Sequence, residues 1–141
     1  MGIETIYSSK EKKLKIATIG AEVSIIVGVV FLVIGILSFI CYMAIMIAGP
    51  EGSLYWPIRP GGFFAALSTL LGLSIFFIPS GLLATLGNLL ILQRRYRIGG
   101  IMSMASSIHL TILVIIYPPM FLFMLIGALP LICGILSLTL S

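Results

Sequence analysis

Side chains equipped for acid–base, metal or nucleophilic chemistry are few in this sequence, and they are scattered. His109 is the only histidine, Asp is absent, and the acidic residues are Glu4, Glu11, Glu22 and Glu51. The two cysteines, Cys41 and Cys133, belong to neither a CxxC pair nor a Cys/His metal pattern. No hydrolase triad, P-loop, paired carboxylates or metal motif can be assembled from these residues. The sequence therefore predicts a chain that is not an enzyme by itself, with no metal and no cofactor.

Four polar residues inside long apolar stretches are the candidates for function. His109 falls about 15 Å into its stretch, near the midplane of a bilayer. An ionisable group at that depth is a functional candidate, as a proton relay, a quinone contact or a haem ligand. Ser106 lies one turn earlier and is available as its hydrogen-bond partner. The plainer reading is a neutral imidazole satisfied by that hydroxyl or by a backbone carbonyl. A haem held by two histidines would need the second from another chain. Glu22 lies about two turns into the first stretch, where a desolvated carboxylate could couple a proton to transport. The plainer reading puts it at the membrane interface, near Lys15 or headgroups, because the first stretch is longer than a bilayer requires. Asn88 is expected to make an interhelical hydrogen bond.

The elements that must position these residues follow from composition. Of 141 residues, 60% are hydrophobic and 9% charged, whereas a soluble domain carries about 25% charged residues. Mean hydropathy is +1.28. Such a chain cannot build a water-facing shell. Apolar stretches are predicted at about 16–48, 63–92, 98–117 and 120–140, after a polar arm over 1–15. Gly49-Pro50-Glu51-Gly52-Ser53 stops the first, Gln93 to Arg97 makes a basic turn, and Pro118-Pro119 separates the last two. Pro79 is read as a kink inside a continuous second helix, since neighbouring helices can satisfy the carbonyl it frees. The first apolar run is far longer than the core of a cleavable signal peptide.

The expected fold is an all-α integral membrane protein, in a cell or inner membrane. Four transmembrane helices form two antiparallel hairpins of unequal length, with both termini cytoplasmic. Charge sets that orientation. The formal charge of +4 does not mark a nucleic-acid binder, because the basic residues flank the spans. Seven of the eight, Lys10, Lys12, Lys13, Lys15, Arg94, Arg95 and Arg97, fall on one side, and Arg59 falls on the other. Tyr55, Trp56 and Tyr117 cluster at the outer boundary as an aromatic belt. Tyr55, Trp56 and Arg59 equally suit a contact patch for a partner.

Helices in lipid associate by close packing and a few polar contacts. Stripes of small residues are the expected seams: Gly20, Ser24 and Gly28 on the first helix, Gly81 on the second, Gly127 and Gly134 on the fourth. Cys41 and Cys133 differ in depth by about 20 Å, too far for a disulfide. No ring of like charges suggests a pore.

The leading functional expectation is a non-catalytic structural or accessory subunit of a larger membrane complex, such as a respiratory or other oxidoreductase assembly. Its partners would be the lipid bilayer and other membrane subunits or copies of itself. The alternative is a small proton-coupled transporter. Ala21-Glu22-Val23 resembles part of the first helix of the small multidrug resistance transporters, which also have four spans. The resemblance covers three residues and implies proton-coupled transport by a homo-oligomer. The second helix departs from it, being longer and interrupted by Pro79.

Overall fold

The computed structural model describes residues 2–49 and 60–141. Among them the regular structure is entirely helical: α1 (Gly2–Ala48), α2 (Pro60–Leu92), α3 (Tyr96–Ile116), a 3-10 turn (Pro118–Met120) and α4 (Phe121–Leu140). All four α-helices are long and apolar enough to cross a membrane. Tyr55, Trp56 and Arg59 lie outside the described residues.

Helix α1 begins well before the predicted arm ends. Residues 2–15, read above as a polar arm, form the first turns of the same 47-residue helix. The physical reason is local. Lys and Glu are good helix formers, Glu11 stands one turn ahead of Lys15, and neither Gly nor Pro occurs between Ile3 and Ile19. The helix stops at Gly49, whose φ of +66° is the left-handed conformation that Gly adopts freely. Its N–H donates to the Ile45 carbonyl at 3.0 Å, closing the helix end.

Helix α2 runs through Pro79 without interruption. It ends in a Schellman turn: the Arg95 amide donates to the Leu90 carbonyl and the Arg94 amide to the Ile91 carbonyl, both at 2.9 Å. Arg94 occupies the left-handed position, with φ 63°. A side chain there costs about 1 kcal/mol relative to Gly. Arg94→Gly is therefore expected to raise stability by about 1 kcal/mol, read as a later midpoint in a denaturant titration of the detergent-solubilised protein.

The helices close a ring. α1 packs mainly on α2 and also on α4, and α3 packs on α2 and α4. Residue numbers run in opposite senses along the α1–α2 seam: Gly28 lies against Thr85 and Gly35 against Ile78. The same holds for α2–α3, where Gly87 meets Ser103 and Gly99 meets Ile91. On α3–α4, Gly100 meets Gly134 while Leu110 meets Gly127. The buried residues of α1 are Ala17, Ala21, Ser24, Gly28, Phe31, Gly35 and Ser38, alternating in steps of four and three. That spacing is the seam of a left-handed coiled coil.

Large side chains concentrate at one level of the interior. Phe31, Phe77, Leu110 and Leu113 form the buried core, flanked by Phe76, Tyr117 and Phe123 among others. Elsewhere the seams are mainly Gly, Ala and Ser, joined by Leu67, Asn88 and Ile91 of α2, and the small residues bring backbones together.

Candidate functional site

The polar residues converge on α3, whose inner surface presents Gly99, Gly100, Ser103, Ser106 and Ser107, all buried. Spacings of three and four place these small residues on adjacent strips of one helix face. One strip meets α2 and the other meets α4. No large side chain intervenes, so each serine hydroxyl reaches a neighbouring backbone.

Three hydrogen bonds result. Ser106 Oγ donates to the Ser80 carbonyl of α2 at 2.8 Å. Ser107 Oγ donates to the Gly127 carbonyl of α4 at 2.7 Å. Ser103 Oγ donates to the Pro130 carbonyl of α4 at 2.6 Å. Ser103 also accepts from Asn88 Nδ2 at 3.3 Å, while the same amide group donates to the Ala84 carbonyl at 2.6 Å. Asn88, Ser103 and the Pro130 carbonyl thus form a buried chain across α2, α3 and α4. Two acceptors adjoin prolines: Ser80 follows Pro79, and the other is the Pro130 carbonyl itself. Pro79 and Pro130 locally disturb the helical hydrogen-bond ladder.

Each candidate residue has a definite place. Asn88 is fully buried and bonded to Ser103, though its Oδ1 has no partner among the described residues. Ser106 turns to α2 rather than to His109, which corrects the pairing expected from spacing: the Ser80 carbonyl lies across the α2–α3 seam, where Ser106 faces. His109 Nε2 is buried without a hydrogen-bond partner among the described residues. Its ring lies 5.1 Å from that of Phe76, tilted by 43°. His109 is about 20 Å from the start of α3 and about 10 Å from its end.

Glu22 is exposed, on the side of α1 away from the ring. Because Gly28 meets Thr85, Glu22 stands level with the end of α2, beside the basic turn rather than deep in the bundle. No hydrogen bond links it to the serine cluster.

Among the packing candidates, Gly20 lies against the Cys133 thiol, Gly28 against Thr85, and Gly81 against the backbone of Gly28 and Leu32. Gly127 meets Leu110, and Gly134 meets Met104. Ser24 is fully buried beside Cys133. Cys41 is exposed and unbridged, and Cys133 is buried and unbridged. Since Cys133 sits near Ser24, the two cysteines are about 25 Å apart along α1. The Tyr117 ring is half-buried, and its hydroxyl packs over Gly72 of α2.

Several central residues were not singled out from sequence as site residues. Spacing gives Ser80 no signal of its own, although Pro79 beside it reads as a kink. Gly87, Gly99 and Gly100 make backbone-close contacts, and the Gly99-Gly100 pair with serines three and four residues on was the available signal.

The arrangement defines a four-helix chain held by close backbone packing and buried hydroxyl-to-carbonyl bonds. Comparisons with protein-family models, with curated proteins and with solved structures gave no match.

Proposed function

We propose that this chain is an integral membrane protein of two antiparallel hairpins, with both termini cytoplasmic. In this reading it serves as a non-catalytic accessory subunit of a larger membrane complex. The observation that carries the reading is how its polar groups are spent. Ser103, Ser106 and Ser107 are committed to fixing α3 against α2 and α4. A transporter must instead separate its helices to alternate access, and each of those bonds would have to break in the apolar interior. The outer surface is broadly apolar, with exposed Val29, Val30, Val33, Ile36 and Leu37 on α1 alone. Such a surface suits lipid and neighbouring helices alike.

The orientation follows from the basic residues. Lys10 to Lys15 and Arg94 to Arg97 lie toward one end of the ring, and the positive-inside rule puts that end in the cytoplasm. A transporter reading keeps one specific support. Glu22 faces outward, so its carboxylate is available to a second copy packed alongside.

Purification in a mild detergent decides between them. An accessory subunit is expected to carry a different chain in fixed stoichiometry. A lone monomer or pure homo-oligomer would sink the proposal. In reconstituted vesicles, Glu22→Gln is expected to change no proton-coupled uptake; loss of such uptake would establish the transporter reading.

A further inference from the structure

A circuit of polar contacts crosses all four helices at one level and is open at one place. Asn88 of α2 donates to Ser103 of α3, and Ser103 donates to the Pro130 carbonyl of α4. One turn on from Pro130 is Cys133, whose thiol stands beside the Ser24 hydroxyl of α1 without hydrogen-bond geometry. Between Ser24 and Asn88 no bond closes the circuit. Their heights agree, however. Gly28 lies against Thr85, Ser24 is four residues before Gly28, and Asn88 is three after Thr85. The two helices run in opposite senses, so the side chains differ in height by about 1.5 Å.

Four buried side-chain atoms lack a hydrogen-bond partner among the described residues, and Ser24 Oγ and Asn88 Oδ1 are two of them. Both residues are fully buried. Turning the Asn88 amide round would not relieve this. Its Nδ2 lies 2.6 Å from the Ala84 carbonyl, which can only accept, so Oδ1 is left as the acceptor. The Ser24 hydroxyl, for its part, has a proton to give. An unpaired polar atom is costly in an apolar interior.

We infer that one water molecule is bound between Ser24 and Asn88 and closes the circuit. Its oxygen accepts from the Ser24 hydroxyl, and one of its O–H groups donates to Asn88 Oδ1. The Cys133 sulfur, a weak acceptor, is at hand for the other. Two to four such partners are what retain a buried water. Packing around Cys133 is tight, since a carbon added at Gly20 would overlap its sulfur, so the ligand is small. A cation is disfavoured. The groups at this level are uncharged, and Glu22, two residues from Ser24, is exposed outside the ring. An ion without a counter-charge is far costlier to bury than a neutral molecule. Asn88 lies only about 6–9 Å along α2 from the basic turn, so bulk water is near.

Retention of this water is independent of whether the chain is an accessory subunit, and its test involves neither partner nor transport. The full chain, isotopically labelled, is placed in phosphatidylcholine nanodiscs. Magnetisation transfer from water to the Asn88 side-chain amide is then measured by NMR. Dipolar transfer from a long-lived water is expected in the unaltered chain, and Ser24→Ala should abolish it. Relay through the Ser103 hydroxyl would survive that substitution, and persistence of the transfer would overturn the inference. So would its absence from the unaltered chain, or a response to exchanging sodium for potassium, which would mark a cation. Should Ser24→Ala fail to fold, a high-resolution structure of the unaltered chain decides. A single density peak within about 3.2 Å of both oxygens is expected. No peak, or a direct bond between Ser24 and Asn88, would overturn the bridge and leave the proposed function standing.

Discussion

Gly81→Ala is expected to destabilise the chain by about 1–3 kcal/mol, from the addition of one methyl group. The new carbon would lie 2.7 Å from both the Gly28 carbonyl oxygen and the Leu32 amide nitrogen. Neither atom ends a flexible side chain. Relief requires α1 and α2 to separate, and Gly28 and Gly35 would then lose their close approach to α2 as well. Without a hydrophobic drive between helices in lipid, contact of this kind is what holds the pair. Gly2→Ala is the control, since nothing lies within 4 Å of its added carbon. The measurement is the unfolding midpoint of each variant in mixed micelles of increasing denaturing detergent. An unchanged midpoint for Gly81→Ala would mean that the seam is looser than described.

Phe77→Ala is expected to cost about 2–4 kcal/mol, somewhat less than the about 3–5 kcal/mol seen when a phenylalanine is truncated in a soluble core. Phe77 is fully buried, with its ring 5.3 Å from Phe31 of α1 and 5.1 Å from Phe123 of α4, both edge-to-face. Removing it opens a cavity and breaks both ring pairs, each worth about 0.5–1.5 kcal/mol. The difference from a soluble protein lies in the reference state. An unfolded α2 would still sit in lipid, so the phenyl ring gains little by moving from lipid to core, and the cavity and lost contacts carry most of the cost. Phe64→Ala, at an exposed position on the same helix, should leave the midpoint within about 0.5 kcal/mol. Comparable losses at the two sites would contradict the core assignment.

The helices were legible because their signal is long. Spans of apolar residues, bounded by Gly49, the arginine turn and Pro118-Pro119, leave little choice of secondary structure. Small-residue spacing also pointed to Gly28 and Gly81 as seam positions. The extent of α1 was less legible. Polarity over residues 2–15 indicates water, and water tolerates helix and coil alike, so composition could not tell an arm from a helix. The serine cluster shows a different limit. Spacing identifies which residues share a face, and it correctly put Ser106 one turn from His109. It does not reveal which neighbouring helix lies opposite, and that helix decided that Ser106 would bond the Ser80 carbonyl. Backbone acceptors such as Pro130 carry no side-chain signature at all.

The unbroken length of α1 also makes it a lever. A membrane that thickens or thins is met partly by helix tilt, and nothing between Ile3 and Ile19 provides a hinge to absorb that tilt. A rotation of about 10° about Lys15 would carry the start of the helix, about 20 Å away, sideways by about 4 Å. The position of Tyr7 and Lys10 is therefore geometrically linked to the tilt of the buried part of α1. The first turns of α1 thus move as one body with the buried part of the same rod.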